Sequence, residues 1–506
     1  MENTPCTPEL PTLIQAMLEP ARYPHPVLRV DLVQTHISWI LLAGDFAYKV
    51  KKPLKLPFLD FSTLELRRIF CLEELRLNRR YAADIYLSVL RICGSAQDPV
   101  WEGDGAAVEY ALRMRRFDDR MRLDRMCMRG ELEPAHLSDL ANALRNFHLQ
   151  AAPAPAASRF GAPAQVRAPA LDNCAQLAQL LPGPVLGRRL QVLRDWTLAQ
   201  CDRLAPLMAS RKERALVREC HGDLHLENLV LLDARVRMFD CIEFNQDLCW
   251  IDLANEYAFP YMDLLVRRQP GLAGWLANEL LGASGDYQAA ELLRFYAVYR
   301  ALVRAKVAAI RAAQRREGPG ADVLDPVALA EDLLAPAPPR MVITHGLSGC
   351  GKTHASGALL RADPRASTLR LRSDVERKRI HGLSTAQASG SQTGGGIYTQ
   401  EANTQTYDRL HQLAAGLLRA GWSVIVDAAF LQHAERARFQ ALAAAVGAPY
   451  AILAPKAQTQ TLRERILARG AIGRDASEAT LEVLEQQVRA LEPLSAAEEA
   501  LQLAHR

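Results

Sequence analysis

No run of about 18 or more apolar residues occurs in the 506-residue chain, so no membrane-spanning helix is expected. The opening stretch MENTPCTPELPTLIQAMLEP lacks the basic-then-apolar order of an export signal. The ten cysteines include no C-x-x-C pair and no His stands at zinc-finger spacing, which argues against a disulfide framework or a structural zinc. A reduced, cytoplasmic protein without membrane partners is the expectation. An excess of charge of one sign is also missing: 61 Lys and Arg against 57 Asp and Glu leave +4, too little for a general affinity for nucleic acid. Aromatics make up only 6%, yet 49% of residues are hydrophobic and 23% charged, the balance of a globular protein. No internal repeat is visible, and the length allows about three compact units.

What is present reads in two parts. Residues 36–52, HISWILLAGDFAYKVKK, form a β-rich hairpin turning at Ala43, Gly44 and Asp45, with lysines on the second strand. From 63, TLELRRIFCLEELRLNRRYAA spaces Leu64, Ile69, Leu72, Leu75 and Leu77 as an amphipathic helix, and DIYLSVLRI and AVEYALRMRRF return to strand character. Residues 151–170, with nine Ala and four Pro, read as an exposed connector. Helical patterns then run to about 312, and a Gly/Pro-rich break precedes the strand MVITH. Beyond it, RMVITH, TLRLRS, SVIVDAAF and YAILAP alternate with helical segments, which predicts a parallel sheet covered by helices.

The first part centres on HGDLHLEN, residues 221–228. Asn228 is followed by LVLLDARVRMFD, two strands around a turn at Asp233 and Ala234, so the hairpin brings Asn228 and Asp240 to one end. An amide oxygen beside a carboxylate suits Mg²⁺, a hard cation that shares its remaining positions with phosphate. Asp223 is then placed to accept a proton from an attacking hydroxyl.

HGDLHLEN followed by MFDCIEF resembles the catalytic and metal loops of aminoglycoside-phosphotransferase-like kinases, and THISWILLAGDFAYKVKKPLKLPFLDFSTLE with EELRLNRRYAADIYL resembles their N-lobe. The resemblance implies an α+β bilobal protein-kinase-like fold over 1–337, with an N-lobe at about 25–118, a C-lobe at about 119–312 and a linker at about 313–337. It makes Asp223 the catalytic base, Asn228 and Asp240 the metal ligands, Lys49 the lysine on the nucleotide phosphates and Glu74 its helix partner. Lys51 shares a strand face with Lys49 and could serve instead; Lys49 is preferred. Asp252 corresponds to an aspartate that orders the catalytic loop. A single glycine in LAGDFAY, and Cys241-Ile242 after Asp240 in place of Phe-Gly, depart from protein kinases and favour a small-molecule substrate.

The second part, 338–506, opens with GLSGCGKT, which fits the G-x-x-x-x-G-K-[ST] phosphate loop between a buried-type strand and a helix. Backbone N–H groups across Gly346, Ser348, Gly349, Cys350 and Gly351 are expected to wrap phosphates, with Lys352 on the outer ones and Thr353 on Mg²⁺. Cys350 reads as a small loop filler rather than a redox switch. Asp374 and Asp427 follow strands and should face the ligand crevice, Asp427 as a metal or water contact and Asp374 as the acceptor of a substrate proton. Arg465, Arg469 and Arg474 could close over a transferring phosphate, or form a solvated face paired with Glu464 and Glu478. RSD at 372–374 and VIVDAAF at 424–430 resemble the P-loop small-kinase group of polynucleotide kinase, chloramphenicol phosphotransferase and zeta toxin. Together the halves resemble a bacterial family of bifunctional aminoglycoside-phosphotransferase and ATP-binding fusions.

The segment 113–130 holds seven Arg against three Asp and reads as a paired, solvated surface in preference to a nucleic-acid site. Arg300, Arg304 and Arg311 form a stripe beside Tyr296 and Tyr299 that either lines a cleft or faces solvent. The expectation is a bifunctional ATP- and Mg²⁺-dependent kinase acting on hydroxyls of small molecules. Its rivals are a nucleic-acid 5′-hydroxyl kinase in the second half, and a chain in which one half senses ATP without turnover and regulates the other.

Overall fold

The computed structural model of the protein describes residues 10–56, 59–385, 387–391, 395–472 and 478–503. The chain divides into two compact units, one drawn from the stretch up to Leu132, Asn146–Gly161 and Arg211–Asp252, the other from Glu133–Arg145, Ala162–Ser210 and the stretch from Leu253 onward.

The first unit is built on a six-stranded antiparallel sheet, in spatial order Val30–Gln34, Ser38–Ala43, Phe46–Lys51, Glu109–Arg115, Tyr86–Gly94 and Pro99–Trp101. The expected hairpin is there: Gly44 turns with φ +57°, and a Cβ at Gly44 would lie 2.8 Å from the Pro26 carbonyl oxygen. One face of the sheet is apolar, with Trp39, Leu41, Tyr48, Val50, Ile92 and Ala111 in a core cluster. Because strand side chains alternate, Lys49 and Lys51 project to the other face. There lies helix Leu64–Ala82, capped by the Thr63 hydroxyl, which accepts from the Leu66 N–H. The expected apolar stripe is inward only in part: Leu77 is buried and Leu75 packs on a core cluster, but the buried side also carries polar residues. Ile69 and Leu72 are exposed, whereas Arg67, Glu74 and Asn78 are buried, because polar partners inside the unit neutralise them. Arg67 Nε donates to both Glu109 oxygens at 2.9 Å, for example.

The hairpin Leu229–Leu232 and Arg235–Met238 is joined by Asp233 and Ala234, both with positive φ, the conformation that matches strand twist in a two-residue turn. A short antiparallel pair, Val217–Glu219 with Trp250–Asp252, frames the segment from 220 onward.

In the second unit, helices Leu253–Val266, Pro270–Ser284 and Ala290–Arg315 pack together. Two expectations about connectors change here. The expected linker 313–337 contains helix Ala321–Asp332, with Val323, Val327 and Ala330 buried, and it packs on Ala290–Arg315. Part of the Ala/Pro-rich stretch is likewise helical, since helix Pro163–Leu180 starts with proline at its first position, where the missing N–H costs nothing.

The parallel sheet has the order Thr368–Arg372, Ser423–Asp427, Met341–Thr344, Tyr450–Leu453. Met341, Val342, Ile343, Val424, Ile425 and Val426 are all buried, as strands covered on both faces require. The strand Met341–Thr344 pairs in parallel with Ser423–Asp427 on one side and Tyr450–Leu453 on the other. The chain thus carries an α+β unit built on an antiparallel sheet and a second unit with helices and a four-stranded parallel sheet.

Candidate functional sites

The first site lies wholly within the first unit. Lys49 Nζ donates to Glu74 Oε1 at 2.7 Å and to Asp240 Oδ1 at 2.5 Å; Lys51 Nζ donates to Glu74 Oε2 at 2.6 Å and to Glu243 Oε1. Positive and negative groups therefore alternate along Asp240, Lys49, Glu74, Lys51 and Glu243. Burial pushes Glu74 up, but the ammoniums of Lys49 and Lys51 outweigh it and hold its carboxyl at about 2. Burial raises Glu243 to about 7 against the pull of Lys51. Lys49 is desolvated too, yet Asp240 and Glu74 keep its pKa well above the ordinary lysine value. Of the two lysines, Lys49 is the one that reaches Asp240.

The segment HGDLHLEN, residues 221–228, is tied to the hairpin by His221. Its Nε2–H donates to the Phe239 carbonyl at 2.9 Å, its Nδ1 accepts from the Asp223 N–H at 3.3 Å, and its carbonyl accepts from the Ile242 N–H. Burial lowers His221 to about 4, so the neutral ring with Nε2 protonated fits both bonds. Gly222 has φ +82°, and a Cβ there would sit 2.6 Å from the Leu248 carbonyl oxygen, so the loop needs glycine at this turn.

Asn228 Nδ2 donates to the Asp223 carbonyl at 2.9 Å and to Asp223 Oδ2 at 3.1 Å, which leaves Oδ1 as the acceptor end of the amide. His225 Nε2 lies 3.3 Å from the same carboxylate oxygen. The Phe239 N–H donates to the Asn228 carbonyl, so Asp240 follows directly at the hairpin end; its own N–H donates to the Tyr86 hydroxyl at 2.9 Å, with φ +62°. An amide oxygen and a carboxylate on residues that the hairpin register brings to one end are a donor set that fits Mg²⁺. Asp252 is clamped by Arg211 Nε and Nη2, both at 2.8 Å, and the pair is buried, consistent with a structural role.

The sequence reading missed Glu243, Asn78 and Arg211. Asn78 Oδ1 accepts from the Cys241 N–H at 3.0 Å while its amide donates to the Glu74 carbonyl, linking the helix to the segment after Asp240. Glu243 stood in the quoted MFDCIEF, three residues after Asp240, but no local pattern pairs it with Lys51.

The second site lies in the second unit. Gly346, Gly349 and Gly351 have φ of +135°, +85° and +98°, and a Cβ at Gly349 would lie 2.9 Å from the Leu462 carbonyl oxygen. Lys352 Nζ donates to the carbonyls of Gly346 and Leu347, both at 2.8 Å. The Ser348 N–H donates to Gln487 Oε1 at 2.7 Å, and Arg465 Nη1 donates to the Gly349 carbonyl at 3.2 Å. Cys350 is buried, as a loop filler should be. Thr353 is exposed in the first turn of helix Lys352–Arg361.

Asp427 ends its strand, is buried, and accepts from Ser356 Oγ at 3.0 Å. Its register partner is Arg372, and Asp374 follows two residues later, in the first turn of helix Ser373–Ile380. Burial, then the Glu478 and Asp374 carboxylates, raise the Tyr398 hydroxyl, which puts Tyr398 in the field of Asp374. Arg469 lies in helix Thr459–Ile472 with its side chain outside the described residues, and Arg474 falls outside them altogether. Glu478 pairs with Lys378 at 2.9 Å.

The arginines of 113–130 are largely paired: Arg115 with Asp233, Arg120 with Asp118, Arg122 with Asp119 and Asp124, Arg129 with Glu131. Arg300 is buried, donates to Asn255 Oδ1 at 2.7 Å and stacks on Phe259 and Tyr299, an internal packing role.

Residues 341–494 match the family described as AAA domain. An uncharacterized protein of Mycobacterium tuberculosis (strain H37Rv) is 29% identical over 461 residues, 90% of this chain and 89% of the relative. Among solved structures, a choline/ethanolamine kinase family protein from Mesorhizobium loti aligns with 62% of this chain and 90% of its own, at 14% identity and TM-score 0.38. The Mycobacterium tuberculosis APS kinase, in complex with AMPPNP and APS, aligns with 29% of this chain and 78% of its own, at 20% identity and TM-score 0.23. No described helix is long and apolar enough to cross a membrane.

Proposed function

We propose that the protein is a bifunctional ATP-dependent phosphotransferase, each half transferring the γ-phosphate of ATP to a hydroxyl of a small molecule. The observation that carries this reading is the convergence on Asp223 and Asp240. Asn228 spends its amide nitrogen on Asp223 while Lys49 bridges Glu74 to Asp240. In the first half, Asp223 accepts the hydroxyl proton, oriented by Asn228 and His225; a positioned base of this kind contributes roughly 10²–10⁴-fold. Lys49, held by Glu74, presents its ammonium to the phosphates. Asn228 and Asp240 would hold Mg²⁺, which supplies neutralisation of phosphate charge.

In the second half, the glycine-rich loop and Lys352 bind the phosphates, Thr353 and Asp427 are the oxygen donors that fit Mg²⁺, and Asp374 accepts the substrate proton. Arg465, already against the loop at Gly349, stands where a cation can meet charge growing on the transferred group. The paired arginines of 113–130 favour a small-molecule over a nucleic-acid substrate.

The test is nucleotide stoichiometry by titration calorimetry with AMP-PNP and Mg²⁺. The wild-type chain should bind two equivalents, and Lys49→Met and Lys352→Ala should each lose a different one. A single equivalent in wild type, unaffected by one of the two substitutions, would leave that half without a nucleotide site.

A further inference from the structure

The strand Thr368–Arg372 is an edge of the parallel sheet, and an edge carries a row of N–H and C=O groups that need partners. Helix Pro270–Ser284, of the same unit, supplies one rung. Asn278 Nδ2 donates to the Thr368 carbonyl at 3.1 Å, and Asn278 Oδ1 accepts from the Arg370 N–H at 2.5 Å. One carboxamide thus replaces one residue of an absent neighbouring strand. The helix can approach this closely because its near side is small. A Cβ on Gly271 would lie 2.5 Å from the Arg361 carbonyl oxygen, and one on Gly274 would lie 3.5 Å from Ala366 Cα.

That rung sets the backbone of Arg370, whose side chain runs beneath the phosphate-loop helix. Arg370 is buried, and its guanidinium lies over the Trp275 ring at 5.6 Å. Nη1 donates to the Thr353 carbonyl at 3.1 Å and to Ser356 Oγ at 3.3 Å. Ser356 Oγ has two acceptors in reach, the Thr353 carbonyl at 3.2 Å and Asp427 Oδ2 at 3.0 Å, but only one proton to donate. Left alone, a helical serine tends to bond back to a carbonyl of the preceding turn. Arg370 takes one lone pair of the Thr353 carbonyl and donates to the serine oxygen, which weakens the carbonyl as a competitor and leaves the charged Asp427 carboxylate as the stronger acceptor of the hydroxyl proton.

We propose that Arg370, set by Asn278 and Trp275, is a positioning residue of the P-loop half that orients Asp427 through Ser356, so that helix Pro270–Ser284 is part of that site. This rests on the reading that Thr353 and Asp427 hold the nucleotide's Mg²⁺. Arg370 touches neither nucleotide nor substrate in this account. It acts on the orientation of a metal-ligating carboxylate, where loss of an outer partner costs about 10–100-fold in metal affinity.

The experiment uses the full chain with Lys49→Met to silence the first site, and reads the Kd of AMP-PNP by calorimetry in EDTA and in saturating Mg²⁺. The ratio of the two isolates the metal corner from the loop contacts. Arg370→Lys keeps the charge and loses the fork, and should lower the ratio about tenfold with little change in the EDTA value. Ser356→Ala should lower it equally, the double variant no further, and Asn278→Ala in the same direction.

An unchanged ratio in Arg370→Lys, or effects of Arg370→Lys and Ser356→Ala that simply multiply, overturns the proposal. Should Arg370→Lys fail to fold, Ser356→Ala and Asn278→Ala decide: a fall in both supports it and no fall overturns it. Absence of AMP-PNP binding in the Lys49→Met chain, or a ratio that Asp427→Asn does not alter, instead refutes the underlying reading of the P-loop half and the proposal with it.

Discussion

Lys51→Met and Lys49→Met should have opposite consequences, although the two lysines are two residues apart on one strand and share Glu74. The Lys51 side chain is 1% exposed and its partners Glu74 and Glu243 are 0% and 3% exposed, so removing it leaves two buried carboxylates with one cation at the far end. Breaking a buried pair by deleting one member costs about 3–5 kcal/mol. At about 2–4 °C per kcal/mol for a unit of this size, the unfolding midpoint should fall by roughly 10 °C.

Lys49→Met leaves Glu74 with Lys51 and frees Asp240, which is 46% exposed and can be solvated. Its stability cost should stay below about 2 kcal/mol, while phosphate transfer by the first half should drop by at least about 10². The Lys51→Met deficit should also shrink as the pH falls below about 7, the value that Glu243 already has with Lys51 beside it and above which loss of that cation moves it. Uncompensated buried carboxylates take up protons in the folded state, a raised folded pKa, and acid then favours folding. Thermal unfolding at pH 7.5 and 5.5, with single-turnover transfer at pH 7.5, reads all three effects. A wild-type midpoint in Lys51→Met, or a larger loss of stability than of transfer in Lys49→Met, would refute the division of labour.

Three further outcomes are expected. His221 is held down to about 4 from an ordinary 6.5, so its contribution to stability is full above about pH 6.5 and lost as the pH falls through 4. It amounts to about 3 kcal/mol, and urea midpoints of wild type between pH 7 and 4 should fall more steeply than those of His221→Gln. Gly349→Ala meets both a left-handed φ and a backbone oxygen 2.9 Å from the new Cβ. It should weaken AMP-PNP binding at the P-loop site by about tenfold or more, by calorimetry in the Lys49→Met chain. A fragment of residues 338–506 should not fold as a monomer, because it loses Asn278 from the sheet edge and the Ala290 carbonyl that accepts from Trp422 Nε1 at 2.9 Å. Size-exclusion chromatography should find it aggregated, and a monodisperse, cooperatively melting fragment would contradict this.

Much of the architecture was legible because it is encoded locally. The turn Asp233-Ala234, the glycine-rich loop after a buried strand, and the four parallel strands each announce themselves within about ten residues. What was hidden depends on partners far apart in sequence. Helix Leu64–Ala82 buries Arg67 and Glu74 beside Cys71 and Leu77 and exposes Ile69 and Leu72, which breaks the usual hydrophobic pattern, because Glu109, Lys49 and Lys51 neutralise the buried charges. Glu243 meets Lys51 across 192 positions of chain. Arg370 read as an ordinary strand residue, and its role emerges only once Asn278 and Trp275 are beside it. The one signal that could have found that contact was the small-residue run Gly271, Gly274 and Asn278 on a single helix.

The most direct measurement is transfer of labelled γ-phosphate from ATP into a fractionated small-molecule and RNA extract, comparing wild type, Asp223→Ala and Asp374→Ala. Two labelled products, each lost in a different variant and both small molecules, are the predicted result. Wild type that binds ATP and labels nothing would contradict the account, and a labelled RNA 5′ end lost in Asp374→Ala would contradict its assignment of a small-molecule substrate to the second half.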